Sequence, residues 1–199
     1  MKTFSAIYKL TLFTLIAIAL YIEIFAESGF RPAAFAYFTI QSNLLAAVFL
    51  ALSLLRLEQS RLQKLRGIAL FAIIITGSIY NFILYKIHLD WNTVAYGFSR
   101  TVTHVIAPLG FILDWLLFDR HGRMKLGDIF WWVAYPLLYA VASLFICSVT
   151  GIAIYPFFDI HTGGLALLAV PGVMLCILTA IAFAIVGIDK LIEPKGKKI

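Results

Sequence analysis

Residues 165–188, LALLAVPGVMLCILTAIAFAIVGI, decide the fold, because they form a long apolar run without a charged side chain. A helix of about 20 apolar residues is long enough to cross roughly 30 Å of hydrocarbon. Five earlier runs are similarly long and predominantly apolar, so we predict six spans, at 8–25, 34–55, 68–85, 96–118, 129–149 and 165–188. The runs are continuous and show no period-2 alternation, which predicts helices rather than the strands of a membrane barrel.

The composition of the whole chain supports this interpretation. Of its 199 residues, 62% are hydrophobic and 13% are charged, whereas a soluble domain is about 45–50% apolar. Such a chain is too apolar for a soluble globule and for a disordered segment. Cys147 and Cys176 lie in apolar runs and match no disulfide framework or metal spacing, so no metal or cofactor is expected. The sequence predicts an all-α, polytopic membrane protein with a single six-helix domain.

The distribution of basic residues predicts the orientation of the spans. All but three of the 16 Lys and Arg residues fall on one side of a six-span arrangement, and the exceptions are Arg31, Lys86 and Arg100. Cytoplasmic loops carry an excess of Lys and Arg, so both termini are expected in the cytoplasm. The net charge of +6 then reflects these loops, and no nucleic-acid partner is expected.

The first run also has features of a secretory signal, with Lys2 before an apolar stretch and small residues near 26–28. Cleavage there would leave five spans and put the termini on opposite faces. Because parity and charge agree for six spans, we interpret the first run as a span.

Polar residues lie inside four of the predicted spans and, in this orientation, in the outer half of each. A polar group that serves no purpose is costly in a membrane helix, so each is a functional hypothesis. They are Glu23, Thr39, Gln41, Ser42, Asn43, Tyr80, Asn81, Tyr85, Arg100, Thr101, Thr103 and His104. We therefore expect a polar site below the outer surface.

Helical spacing groups these residues further. Thr39, Ser42 and Asn43 are related as i, i+3 and i+4 and share one helix face, and Arg100 and His104 share another. Pro108 follows His104 by four residues and has no N–H, so the His104 carbonyl lacks its helical donor. The backbone beside His104 is predicted to be bent and locally polar.

Each polar residue also has a structural interpretation, which the sequence leaves open. Hydroxyls can bond back to a helix carbonyl, amides can join neighbouring helices, and His104 can be a satisfied core histidine. Arg100 can extend to the outer interface or pair with Glu23. Asp114 lies about 15 Å deeper than His104 and is expected to cap a helix or pair near Arg120.

The fifth loop, residues 151–164, is unusually apolar. It contains Tyr155-Pro156-Phe157-Phe158-Asp159 and no basic residue. It either covers the polar site as a lid, with Asp159 in an orienting or structural role, or it is an ordinary interfacial loop. Asp159 and His161 form no recognised metal pattern.

Three segments, in order, carry a family resemblance: YFTIQSNLL at 37–45, THVIAP at 103–108, and YPF at 155–157 followed by Asp159. The set resembles the androgen-induced, androgen-dependent family of six-span membrane proteins, over nearly the whole chain in span number and motif order. Animal members are membrane threonine hydrolases of fatty-acid esters of hydroxy fatty acids. The resemblance implies that Thr39 is the nucleophile and His104 the second functional residue. The polar stretch 41–43 looks like the form seen in bacterial members. Short loops and the absence of sorting tails favour a bacterial inner membrane.

The chemistry of the residues is consistent with that activity. A neutral imidazole is a suitable base for a threonine hydroxyl, and both side chains lie at comparable predicted depth. Oxyanion or substrate contacts are expected from Ser42, Asn43 and Asn81, and Arg100 is expected to bind a substrate carboxylate. A lipid ester would enter from the bilayer. A non-catalytic lipid-binding or sensor protein is the alternative. A transporter is less favoured, because it would need a polar path through both leaflets and the inner halves of the spans offer only Asp114.

Overall fold

The computed structural model describes residues 2–26, 29–55, 59–84, 94–161 and 170–193. Five predicted features lie outside these ranges: Arg56, Lys86, loop residues 162–164, the start of the sixth run at 165–169, and the basic residues at 195–198. The structure is 85% helical, which confirms the all-α class. Its helices are α1 (Lys2–Ile24), α2 (Phe38–Leu54), α3 (Gln59–Ile79), α4 (Val94–Thr101), α5 (Ala107–Phe118), α6 (Asp128–Thr150) and α7 (Val170–Leu191).

Two of these helices are extended by wider, π-helical turns. Tyr80–Leu84 continues α3, and Val102–Ile106 joins α4 to α5. Five continuous helices within the described residues are long and apolar enough to cross a bilayer, as an integral membrane protein requires: Thr3–Ile24, Leu62–Leu84, Val94–Phe118, Asp128–Thr150 and Gly172–Leu191. The helix α2 is also apolar but shorter.

The shorter α2 has a local cause. Pro32 begins a 3₁₀ turn, Pro32–Ala36, and α2 then starts at Phe38, after the predicted start of the span at residue 34. Before this turn, Phe25–Ala26 and Gly29–Phe30 form a minimal antiparallel pair, β1 and β2. Gly29 has a φ of 98° there, a conformation that suits glycine.

The chain forms two compact units, Met1–Arg120 and His121–Ile199. In the first unit, α2 packs against α1 and α3, α3 packs against α5, and α1 packs against α4 and α5. The first apolar run is therefore an integral part of this core, with Ile16 and Ala19 fully buried.

The second unit is built on α6 and α7, which pack against each other. Gly151 ends α6 in the left-handed conformation, with a φ of 70°. The aromatic segment that follows contains a 3₁₀ turn, Pro156–Phe158, and packs on α6 of the same unit. Phe158 is 1% exposed, and its ring centroid lies 6.4 Å from that of Tyr139.

Candidate functional site

The structure brings Thr39 and His104 together in the first unit. Thr39 is the second residue of α2, and His104 is in the wide turn between α4 and α5. Thr39 Oγ1 lies 3.2 Å from His104 Nε2. Both side chains are half-buried, so a ligand can reach them. The contact has the geometry of a hydroxyl and its general base.

The other imidazole nitrogen fixes the tautomer. His104 Nδ1 lies 3.0 Å from the Arg100 carbonyl oxygen, which can only accept, so Nδ1 carries a proton and donates it. Thr103 Oγ1 also lies 3.0 Å from Nδ1, while the Thr103 hydroxyl donates to the Ser99 carbonyl at 2.9 Å. In the neutral ring Nε2 is therefore free of hydrogen and accepts the Thr39 hydroxyl proton.

The imidazole is also held by a ring contact. The Tyr80 ring stacks on His104 with a centroid distance of 3.8 Å and an interplanar angle of 27°. Tyr80 is 6% exposed, so the stacked face of the imidazole is shielded. Tyr80 and Thr103 were not among the predicted site residues. The sequence does place both among the polar residues in the outer halves of the spans, and Thr103 begins the THVIAP segment.

Asn43 and Asn81, the predicted oxyanion or substrate contacts, donate to backbone carbonyls in the structure. Asn43 Nδ2 donates to the carbonyls of Thr39 at 2.9 Å and Thr103 at 3.1 Å. Asn81 Nδ2 donates to Gly77 at 2.7 Å and to His104 at 3.0 Å. Both hydrogens of each amide are used, so either residue could serve an oxyanion only by giving up one of these bonds.

Asn43 is fully buried, and its Oδ1 has no hydrogen-bond partner among the described residues. A buried polar atom without a partner costs roughly 1–3 kcal/mol. The hydrogen bonds that this side chain makes among the described residues are the two that Nδ2 donates.

Ser42, also a predicted substrate contact, is fully buried. Its Oγ lies 2.7 Å from Thr76 Oγ1 on α3 and 3.1 Å from the Thr39 carbonyl oxygen. In this arrangement Ser42 joins α2 to α3 beneath Thr39 rather than facing a ligand.

Glu23 contacts α4, the helix that carries Arg100. The Ser99 hydroxyl donates to Glu23 Oε1 at 2.7 Å, which links α1 to the residue that precedes Arg100. The Arg100 side chain is half-buried. Asp159 belongs to the second unit, where its Oδ1 accepts the His161 backbone N–H at 2.9 Å and closes a local turn.

Asp114 corrects another expectation, since it neither caps a helix nor pairs near Arg120. It is fully buried at the centre of a charge cluster that we define as Lys9, Arg66, Asp114 and Asp119. Lys9 Nζ lies 2.6 Å from both Asp114 carboxylate oxygens. The sequence missed the cluster because its members come from α1, from α3, and from α5 with the residue that follows it.

Arg66 is the second cation of the charge cluster. Its Nη1 and Nε lie 2.9 Å from Asp114 and 2.7 Å from Asp119, within ion-pair distance, although the N–H directions do not meet hydrogen-bond geometry. Its guanidinium carbon lies 4.5 Å and 4.4 Å from the ring centroids of Phe49 and Phe111. Burial raises the pKa of Asp119, and the Arg66 charge opposes that rise. The cluster ties α1, α3 and α5 together.

Comparison with known proteins adds no relative: no family model, curated protein or solved structure matches the chain. Among the described residues, no group of three His, Cys, Asp or Glu side chains is arranged to hold a metal ion. The fold and site together define an all-α protein with helices long and apolar enough to span a membrane and with a threonine–histidine pair.

Proposed function

We propose that this protein is a membrane hydrolase of lipid esters, with Thr39 as the nucleophile and His104 as the general base. The observation that carries the proposal is the 3.2 Å contact between Thr39 Oγ1 and His104 Nε2. It is strengthened by the tautomer, because the Arg100 carbonyl holds the proton on Nδ1 and leaves Nε2 able to accept. A hydroxyl is a weak nucleophile until such a base removes its proton.

In the proposed reaction, Thr39 Oγ1 attacks the ester carbonyl carbon while its proton passes to His104 Nε2. The tetrahedral intermediate collapses, the ester C–O bond breaks, and the leaving alkoxide takes the proton from Nε2. Water then attacks the acyl-threonine with His104 again as base, which releases the fatty acid and restores Thr39. Because Thr39 lies in the first turn of α2, the positive end of the helix dipole favours the negative charge that develops beside it.

The surroundings of the pair suit a substrate with long acyl chains. Phe82 and Ile83 follow Asn81 and are 86% and 52% exposed, and Ile106 in the wide turn is 38% exposed. Apolar side chains in contact with the bilayer let a lipid reach a half-buried site sideways. We assign fatty-acid esters of hydroxy fatty acids, or similar esters, as the substrate class, in line with the family resemblance.

A direct test uses the purified protein in detergent with a fluorogenic long-chain fatty-acyl ester. We expect steady turnover by the parent and reduced but measurable turnover by Thr39→Ser, which keeps a hydroxyl beside Nε2. A protein that binds the ester without releasing product would be a lipid-binding protein, and the hydrolase proposal would then be wrong.

The proposed topology has six spans and cytoplasmic termini. With 17 residues α2 is about 26 Å long, close to the hydrocarbon thickness of roughly 30 Å, so it can serve as the second span. The bias of basic residues to one side of this arrangement sets its orientation. The Thr39–His104 pair then lies towards the outer face.

The topology predicts which positions react from outside the cell. In a chain with Cys147 and Cys176 replaced by alanine, Ser60→Cys and Lys125→Cys should resist a membrane-impermeant thiol reagent in intact cells, whereas Ile160→Cys should react. All three should react after permeabilisation, which is the control for accessibility. Labelling of Ser60→Cys in intact cells would show that the chain has the opposite orientation.

Arg100 gives a prediction about substrate selection. Its backbone carbonyl orients His104 whatever the side chain is, so Arg100→Gln should leave the base in place. For an ester that carries a free carboxylate, loss of a charge-assisted pair should raise KM about tenfold or more and leave kcat nearly unchanged. A neutral ester of the same length is the control and should behave as with the parent. Equal losses on both esters would contradict carboxylate binding by Arg100.

A further inference from the structure

The wide turn that carries His104 displaces the hydrogen-bond register of its helix. The Ala107 N–H donates to the Val102 carbonyl, five residues back, instead of to Thr103. The next residue, Pro108, has no N–H to offer. The carbonyls of Thr103 and His104 therefore both lack their usual α-helical donor. These are the carbonyls of the histidine and of the residue before it.

Two asparagines from neighbouring segments supply the missing donors. Asn43 on α2 donates to the Thr103 carbonyl at 3.1 Å, and Asn81 beyond α3 donates to the His104 carbonyl at 3.0 Å. Each amide also donates to the carbonyl four residues back on its own segment, Thr39 or Gly77. The same bridge thus occurs twice, once on each side of the wide turn.

Close packing keeps the Asn81 bridge short. A Cβ atom added to Gly77 would lie 2.9 Å from Pro108 Cβ and 3.3 Å from the His104 carbonyl oxygen, so only glycine allows this approach. The segment that carries Asn81 therefore lies directly against the carbonyl that Pro108 leaves without a donor.

We propose that Asn43 and Asn81 are positioning residues, whose amides hold the wide turn in the register that directs His104 Nε2 at Thr39 Oγ1. The consequence for catalysis rests on the proposed function, whereas the positioning itself does not. The two residues act through His104 and do not contact the substrate.

Pro108 provides the test, because Pro108→Ala restores an N–H at the position where the donor is missing. Asn81→Ala alone should lower the rate at which a fluorophosphonate probe labels Thr39 by about tenfold to hundredfold, as expected for a displaced catalytic group. In the Pro108→Ala background the same change should lower the labelling rate by less than about threefold, because the new N–H can donate to the carbonyl that Asn81 no longer reaches. Additive losses in this double-mutant cycle would overturn the proposal.

A readout that needs no enzymatic activity is the ¹⁵N NMR signal of His104, assigned by comparison with His104→Gln. In the parent, Nδ1 should be protonated and Nε2 unprotonated, and Asn81→Ala should shift the ring towards a mixture of tautomers. If Asn81→Ala shows this shift but the probe does not label the parent at Thr39, the result would contradict the hydrolase and support the positioning role. An unchanged ¹⁵N spectrum in Asn81→Ala would overturn the positioning role itself.

Gln41→Ala is the matched control, because Gln41 Nε2 makes the same kind of amide-to-carbonyl bond, to Phe35 at 2.8 Å, away from the wide turn. It should change neither the labelling rate nor the His104 signal by more than about twofold. If Asn81→Ala does not fold, Asn81→Ser keeps one donor, and the same dependence on Pro108 is expected from it. Equal effects of the Gln41 and Asn81 variants would again overturn the proposal.

Discussion

Thr39→Ala and His104→Ala are each expected to reduce ester hydrolysis by about a thousandfold or more, and the double variant should lose no more than either single one. Nε2 activates the hydroxyl, and the base has no nucleophile to activate without it, so the two groups act as a unit. The measurement is kcat/KM on a long-chain fatty-acyl ester with each variant purified in the same detergent.

Two matched changes control for damage to the fold. Thr14→Ala removes an exposed hydroxyl that only bonds back to the Leu10 carbonyl of α1, and His161→Ala removes an exposed histidine of the second unit. Both should keep nearly full activity. Losses at Thr39 and His104 that multiply in the double variant would mean that the two side chains act independently, which the proposed mechanism forbids.

Arg66→Met is expected to destabilise the first unit by about 3–5 kcal/mol, the usual result of removing one partner from a buried ion pair. Arg66 is 3% exposed and faces both carboxylates of the charge cluster, so its loss leaves Asp119 without its close cation. Thermal unfolding in detergent measures the effect. Lys64→Met is the matched control, because Lys64 is an exposed basic residue on the same helix. Its replacement should change the free energy of unfolding little.

The charge cluster also predicts a partial rescue. Arg66→Met with Asp119→Asn removes one charge of each sign and leaves the Lys9–Asp114 pair, so the double variant should be more stable than Arg66→Met alone. A double variant that is no more stable than the single one would show that Arg66 stabilises the unit through its packing against Phe49 and Phe111 instead.

The helices could be predicted from the sequence because continuous apolar runs leave few alternatives in a membrane. The start of α2 could not, since the run at 34–55 includes the end of a 3₁₀ turn that Pro32 begins. Asp114 was placed wrongly for a different reason. Local sequence points to Arg120, whereas its actual partners, Lys9 and Arg66, are distant in the chain.

The candidate site shows the same division between local and tertiary information. The missing donor at Pro108 could be read from the sequence, because it follows from proline chemistry alone. Which side chains supply the missing donors depends on how α2 and α3 lie beside the wide turn, so the sequence alone predicts Asn43 and Asn81 only as oxyanion or substrate contacts. The stacking of Tyr80 on His104 likewise requires the packed structure.

The most direct test of the central claim is mass-spectrometric localisation of a fluorophosphonate adduct on the purified protein. An activated hydroxyl displaces fluoride and forms an O–P bond, so the adduct marks the nucleophile. We expect one modified peptide, with the phosphonate on Thr39, and no adduct on this peptide in His104→Ala. A folded parent that hydrolyses the ester while its adduct lies on another residue, or that forms no adduct at Thr39, would contradict the threonine mechanism.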